Sequence, residues 1–190
     1  MKSEKTLLIG SSPILVQQIK KINLSDYKHV CVINNIFNLE TNRLFLEHSI
    51  SPDYYYFSDF TYYDRGYKEK IDAVEIKRKI MCIPSQKKIP RDKLEDLSRK
   101  GIEVCDVKII NTINYLGNYS LNTWASTGML SLGHLIMSEN HENIDLAGFS
   151  FFSGKLHYYD EEIVDKSRHN TNSEKNIYKY FNNKKFCRLL

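Results

Sequence analysis

The sequence predicts an α/β fold, a Rossmann-like and mostly parallel sheet with helices on both faces. Three observations carry this. Short apolar runs alternate along the chain with segments of helical spacing. The first run, Thr6–Ile9, passes at once into the small-residue turn Gly10-Ser11-Ser12-Pro13 and then into a helical pattern, the opening of a nucleotide-binding α/β domain. Small or amide residues also close later runs, at Asn34-Asn35, Ser58 and Gly148/Ser150. Alternating strands and helices of this kind build a parallel sheet covered on both sides.

Each element follows from its own residues. After the first turn, Ile14, Leu15, Gln18, Ile19 and Ile22 share one helical face. His29–Ile33 (HVCVI) reads as a second strand and Tyr54–Phe57 as a third. Lys68–Ile76 has helical spacing, Ile80–Ile83 reads as strand before Pro84, and Pro90–Lys100 reads as a helix stopped by Gly101. Val107–Ile110 is the next predicted strand. Thr127–Met137 is a helix with Ser126 at its N-cap, and Ile144–Ala147 is a strand ending at Gly148. A polar stretch, 153–172, leads into a helix over Ser173–Phe181, and Lys185–Leu189 is the last predicted strand.

The length of 190 residues suits one domain, and with no repeat, linker or low-complexity segment the whole span 1–190 is read as that domain. An apolar fraction of 42% with 26% charged residues is that of a folded globular chain. The net charge of +4 suits an anionic ligand, but basic residues are scattered among acidic ones, which argues against nucleic acid as a partner. The runs at Lys77–Lys79 and Lys87–Lys88 read as solvated faces and strand flanks. The four cysteines have no paired spacing and read as buried free thiols. No run approaches the roughly 18 apolar residues of a membrane span, and nothing resembles a signal peptide, so the expected location is the cytoplasm.

Ligands of open parallel sheets sit beyond the carboxyl ends of the strands. Backbone N–H groups at Gly10, Ser11 and Ser12, and at the helix start near Ser126–Gly128, are therefore expected to hold anionic oxygens. No Asp-x-Asp occurs, so the ligands for metal-bridged diphosphate chemistry are missing and no metal or cofactor is expected.

Four segments, in order, resemble the motifs of the sialyltransferase families. Gly10-Ser11-Ser12-Pro13 with Val30–Asn35 is similar to the large donor-binding motif. Ser126-Thr127-Gly128-Met129 with Ile144–Gly148 is similar to the small motif, which serves both donor and acceptor sites. His157-Tyr158-Tyr159-Asp160 matches the third motif, and His169 followed after four residues by Glu174 matches the very small one. The resemblance implies a Rossmann-like domain with a mobile lid that uses CMP-sialic acid without metal. It places Gly10 and its neighbour against the donor phosphate, and Asn35 on the nucleotide. Ser126, Thr127 and Gly128 fall on the sugar carboxylate and phosphate, and Gly148 on the cytidine. It makes His169 the catalytic base and His157 the support of the leaving phosphate. Two positions depart from the pattern: Ser11 replaces a common asparagine, and Ile33 replaces a common arginine.

The chemistry implied needs these residue types. A histidine titrating near neutrality suits deprotonation of an acceptor hydroxyl, which makes His169 the expected base. His157 as a cation, or Tyr158 through its hydroxyl, can donate to the phosphate as charge develops. Ser126 and Thr127 would donate to the sugar carboxylate, and Ser58 joins the set as a strand-end hydroxyl. Glu174 either supports the site or caps its own helix. His29, His48, His134 and His141 read as structural or surface residues. The expected partners are the CMP-sialic acid donor and a glycan acceptor, free or lipid-linked; a lipid-linked acceptor would draw the enzyme to the inner membrane face as a peripheral protein. Oligomeric state is left open. Alternatives in the same chemistry are donors carrying pseudaminic acid, legionaminic acid or Kdo. Outside it stand a nucleotide-binding module without catalysis and a plain nucleotidase.

Overall fold

A computed structural model describes residues 4–34, 39–64, 66–83, 89–119, 123–151 and 170–190. Its strands are β1 (Thr6–Ile9), β2 (His29–Ile33), β3 (Tyr54–Ser58), β4 (Arg78–Cys82), β5 (Ile102–Val104), β6 (Ile144–Ala147) and β7 (Cys187–Leu189). The helices are α1 (Leu15–Ile19), α2 (Leu39–Glu47), α3 (Asp59–Tyr63), α4 (Lys68–Ala73), α5 (Arg91–Arg99), α6 (Val107–Gly117), α7 (Thr127–Met137) and α8 (Thr171–Asn183). All seven strands pair in parallel, in the order β5-β4-β3-β2-β1-β6-β7. This is the Rossmann-like α/β architecture that the alternating pattern predicts.

The order of the strands explains where the helices lie. From β1 to β5 the chain steps outward in one direction, and right-handed crossovers then keep the intervening helices on one face. The return to β6 and the step to β7 run the opposite way and place α6, α7 and α8 on the other face. The buried side chains divide accordingly. Leu7, Ile9, Val32, Tyr55 and Phe57 pack with Leu15, Ile19, Ile71 and Leu97 from α1, α4 and α5. Leu8, Cys31, Tyr54 and Tyr56 pack with Ile109, Met129, Leu132 and Ile177 from α6, α7 and α8. Neighbours along one strand thus enter different cores, the period of two that a sheet imposes. Each fully buried Leu, Ile or Phe contributes about 1.5–3 kcal/mol, so strands apolar on both sides are stable only in this central position.

Several predicted elements need correction. Val107–Ile110 is helical, the first turn of α6; Asp106 caps it by accepting from the Lys108 N–H at 2.7 Å, and Ile109, Ile110 and Ile113 form its buried face. The strand in this region is β5, just before it. The helix predicted over Lys68–Ile76 stops at Ala73, because Val74 is already extended. The final strand is shorter than predicted, with Lys185 in a left-handed turn (φ 62°) ahead of it. The run at Lys77–Lys79 leads into β4 as a strand flank, but it is not all solvated: Lys79 is buried and donates to the Ile71 and Asp72 carbonyls at the end of α4, while Arg78 pairs with Glu103 and Glu139. All four cysteines are buried free thiols. No helix of the described residues is long and apolar enough to cross a membrane.

Candidate functional site

Strand order reverses between β1 and β6, so the loops leaving their carboxyl ends diverge and open a crevice. A solvent-open cleft lies there. Its floor is a pair of glycines. A Cβ on Gly10 would stand 2.5 Å from the Gly148 carbonyl oxygen, and a Cβ on Gly148 would stand 2.6 Å from that of Gly10. Gly148 also has φ of +71°, where side chains are strained. Both positions need a bare Cα because the two backbones approach so closely.

One wall is the N-terminus of α7. Ser126 caps the helix by accepting from the Met129 N–H at 3.3 Å. Its own hydroxyl proton goes to Glu174, at 2.8 Å, and its backbone N–H goes to the same carboxylate at 2.9 Å. The Tyr119 hydroxyl donates to Glu174 as well, at 2.5 Å. Burial, reinforced by this carboxylate, pushes the Tyr119 phenol well above its ordinary range. Glu174 is itself almost wholly buried. It does not cap its own helix, because Asn170 fills that role by accepting from the N–H groups of Asn172 and Ser173. Glu174 instead ties the start of α8 to the start of α7.

The contacts change the predicted set of anion donors. The Gly10 N–H is spent on the Ala147 carbonyl at 2.7 Å and that of Ser12 on the Gly148 carbonyl at 3.0 Å. The Gly148 N–H donates to the Gln18 side chain at 2.7 Å. Ser126 has given its proton to Glu174. Ser58 does not line the cleft: it caps α3, accepting from the Thr61 N–H at 3.0 Å, two strands away from β1. What remains is a compact group: the Thr127 and Gly128 N–H groups, which as the first amides of a helix have no acceptor within it, and the hydroxyls of Thr127 and Ser12. Thr127 and Ser12 are 6% and 7% exposed. Ser11 also lines the cleft. Among the described lining residues Glu174 alone is ionisable, so an anion here would be held by amides, hydroxyls and the positive end of α7.

The opposite wall is apolar and follows Gly148. Phe149 packs against the helix start, so that a Cβ on Gly128 would approach its Cε1 to 2.9 Å. Phe151 is held in a left-handed conformation (φ 49°), with its ring 5.3 Å from that of Tyr178 on α8. Ile33 and Asn34 close the β2 side. Asn34 also has positive φ (56°), and its side-chain oxygen is buried with no hydrogen-bond partner among the described residues. An orphaned buried acceptor costs about 1–3 kcal/mol, which a hydroxyl or amino donor from a ligand would recover.

Gly10, Ser11, Ser12, Ser126, Thr127, Gly128, Gly148 and Glu174 are thus brought together from segments far apart in the chain. Asn35, His157, Tyr158 and His169 lie outside the described residues. Sequence reasoning placed Asn34 only among the strand-end residues, beside the Asn35 assigned to the nucleotide, and missed Phe149, Phe151 and Gln18. The two phenylalanines follow the strand-end glycine, where a chain turning out of the sheet must line the crevice. Fold and site define a Rossmann-like α/β protein with a cleft at the reversal point of its sheet, hydrogen-bonding on the α7 side and aromatic on the β6 side. Comparison with protein-family models and with curated proteins matches none of them to this chain.

Proposed function

We propose that this chain is a glycosyltransferase that moves a sialic acid from CMP-sialic acid to a hydroxyl of an acceptor glycan, with inversion and without a metal ion. The observation that supports the reading best is convergence. Described parts of three separate sialyltransferase-like motifs, Gly10–Ser12, Ser126–Gly128 with Gly148, and Glu174, line one cleft, and two of them are joined by the Glu174–Ser126 hydrogen bonds. A donor with an anionic end and a flat base also matches the two walls. Phosphate and carboxylate oxygens would meet Thr127, Gly128 and Ser12, and the nucleoside would meet Phe149, Phe151 and the Asn34 oxygen.

In the proposed reaction the acceptor oxygen attacks the anomeric carbon as the bond from that carbon to the phosphate oxygen breaks. His169 takes the acceptor proton, and CMP leaves with the bonding electron pair, its charge met by His157 and the α7 amides. His169 is covalently adjacent to Asn170, the cap of α8, and Glu174 lies in the first turns of that helix. The test is transfer from CMP-sialic acid to a galactose-terminated oligosaccharide, followed by mass spectrometry with and without EDTA, beside a panel of other CMP-linked sugars. The reading expects transfer unaffected by EDTA. It also expects His169→Ala to lose roughly 10²–10⁴-fold in turnover while still binding CMP. A His169→Ala enzyme within about threefold of wild type would reject the assigned base.

A further inference from the structure

Gln18 does not line the cleft, yet one of the cleft's turns hangs on it. The chain leaves β6 at Gly148 with φ of +71°, a conformation that carries it out of the pairing with β1. Its N–H therefore loses a partner in the sheet. The Gln18 side-chain oxygen, reaching up from α1, supplies the replacement at 2.7 Å. The other end of the same amide donates to the Leu190 carbonyl, just past β7. The two contacts fix the orientation of the amide, since a carbonyl can meet only the NH₂ and an N–H can meet only the oxygen. The Gly148 carbonyl is in turn taken by the Ser12 N–H at 3.0 Å. One glutamine thus completes the hydrogen bonding of the turn from which Phe149, Ser150 and Phe151 enter the cleft wall.

We propose that Gln18 is a positioning residue for the cleft: it acts through Gly148, holding the left-handed turn that sets the aromatic wall and keeps the glycine pair in register. The link to nucleotide binding rests on the function proposed above; the hold on the turn does not. Without an acceptor at position 18, a part-buried N–H at Gly148 would be left unpaired, and the turn would relax toward water.

The experiment compares wild type with Gln18→Met, which keeps an unbranched helix-compatible stem and removes the acceptor, and Gln18→Glu, which keeps an acceptor oxygen. Amide hydrogen exchange read by NMR reports the turn, and titration with CMP reports the cleft. In Gln18→Met the Gly148 amide is expected to exchange about tenfold faster or more, while Leu8 and Cys31 in the central strands keep their protection. CMP binding is expected to weaken by about 5- to 30-fold. Gln18→Glu is expected to retain Gly148 protection and to bind CMP more tightly than Gln18→Met does. If Gln18→Met fails to fold, Gln18→Lys tests the same loss of acceptor. Unchanged Gly148 exchange in the acceptor-free variant would overturn the proposal, as would faster exchange with unchanged CMP affinity. If wild type binds no CMP, the nucleotide reading fails, and the exchange at Gly148 together with the amide shifts of Phe149 and Phe151 still decides whether Gln18 holds the wall.

Discussion

Thr127 combines the two features that suit it to an anion: its N–H is one of the first amides of α7, and it is a largely buried hydroxyl residue that lines the cleft. Thr127→Val keeps the branched shape and removes the hydroxyl. CMP affinity should fall about 2- to 10-fold, the worth of one hydrogen bond, with little change in melting temperature. Titration calorimetry checks this, and equal affinity would remove Thr127 from the donor set. The glycine floor makes a different prediction. Gly148→Ala brings a methyl to 2.6 Å from the Gly10 carbonyl oxygen and places alanine at φ of +71°. It should cost about 1–3 kcal/mol by urea denaturation, because backbone rather than a flexible side chain must move. A stability within about 0.5 kcal/mol of wild type would mean that the glycine pair is not in close contact.

Helix α7 connects two chemically different ends of the molecule. Its N-terminus forms a wall of the cleft, and near its C-terminus His134 lies buried, with Nδ1 3.0 Å from the Tyr56 hydroxyl and Nε2 3.9 Å from Glu139. Burial pushes the His134 imidazole below its ordinary range, and burial together with His29 does the same for His141, whose Nδ1 meets the Thr6 hydroxyl at 2.7 Å. A folded state that disfavours protonation is stabilised above the unfolded pKa of about 6.5, and that stability is lost as pH falls through this value toward the lower folded pKa. The urea midpoint should therefore drop between pH 7.5 and 5.5, and His134→Gln should reduce the drop. A midpoint independent of pH in this window would contradict the assignment.

Much of α7 and β6 was legible in the sequence, because a serine cap, helical spacing and a strand-end glycine all pointed to the same boundaries. Val107–Ile110 was misleading: its β-branched residues suit a strand, and the deciding signals were the Asp106 cap and the further apolar positions down the helix. Of the described residues named for the site, all but Ser58 line one cleft, yet their hydrogen bonds differ from those expected of anion donors. That Gly10 and Ser12 would spend their N–H groups on the Ala147 and Gly148 carbonyls, and Gly148 its own on Gln18, depends on how closely β1 and β6 approach, which no local pattern encodes. The partnership of Glu174 with Ser126 likewise joins two helix starts that are adjacent only in the folded chain.

At the scale of the whole molecule, the parallel sheet brings the turns after β1, β2 and β6 and the start of α7 together at its reversal point, and what binds there decides the function. Thermal unfolding of the full chain with CMP, UDP and GDP, each at the same concentration, tests this most directly. A ligand present at about 100 times its dissociation constant adds about 2.7 kcal/mol, which for a chain of this size raises the melting temperature by about 5–10 °C. CMP is expected to give that rise, and UDP or GDP a negligible one. No shift with CMP, or a larger shift with either of the others, would contradict the proposed function.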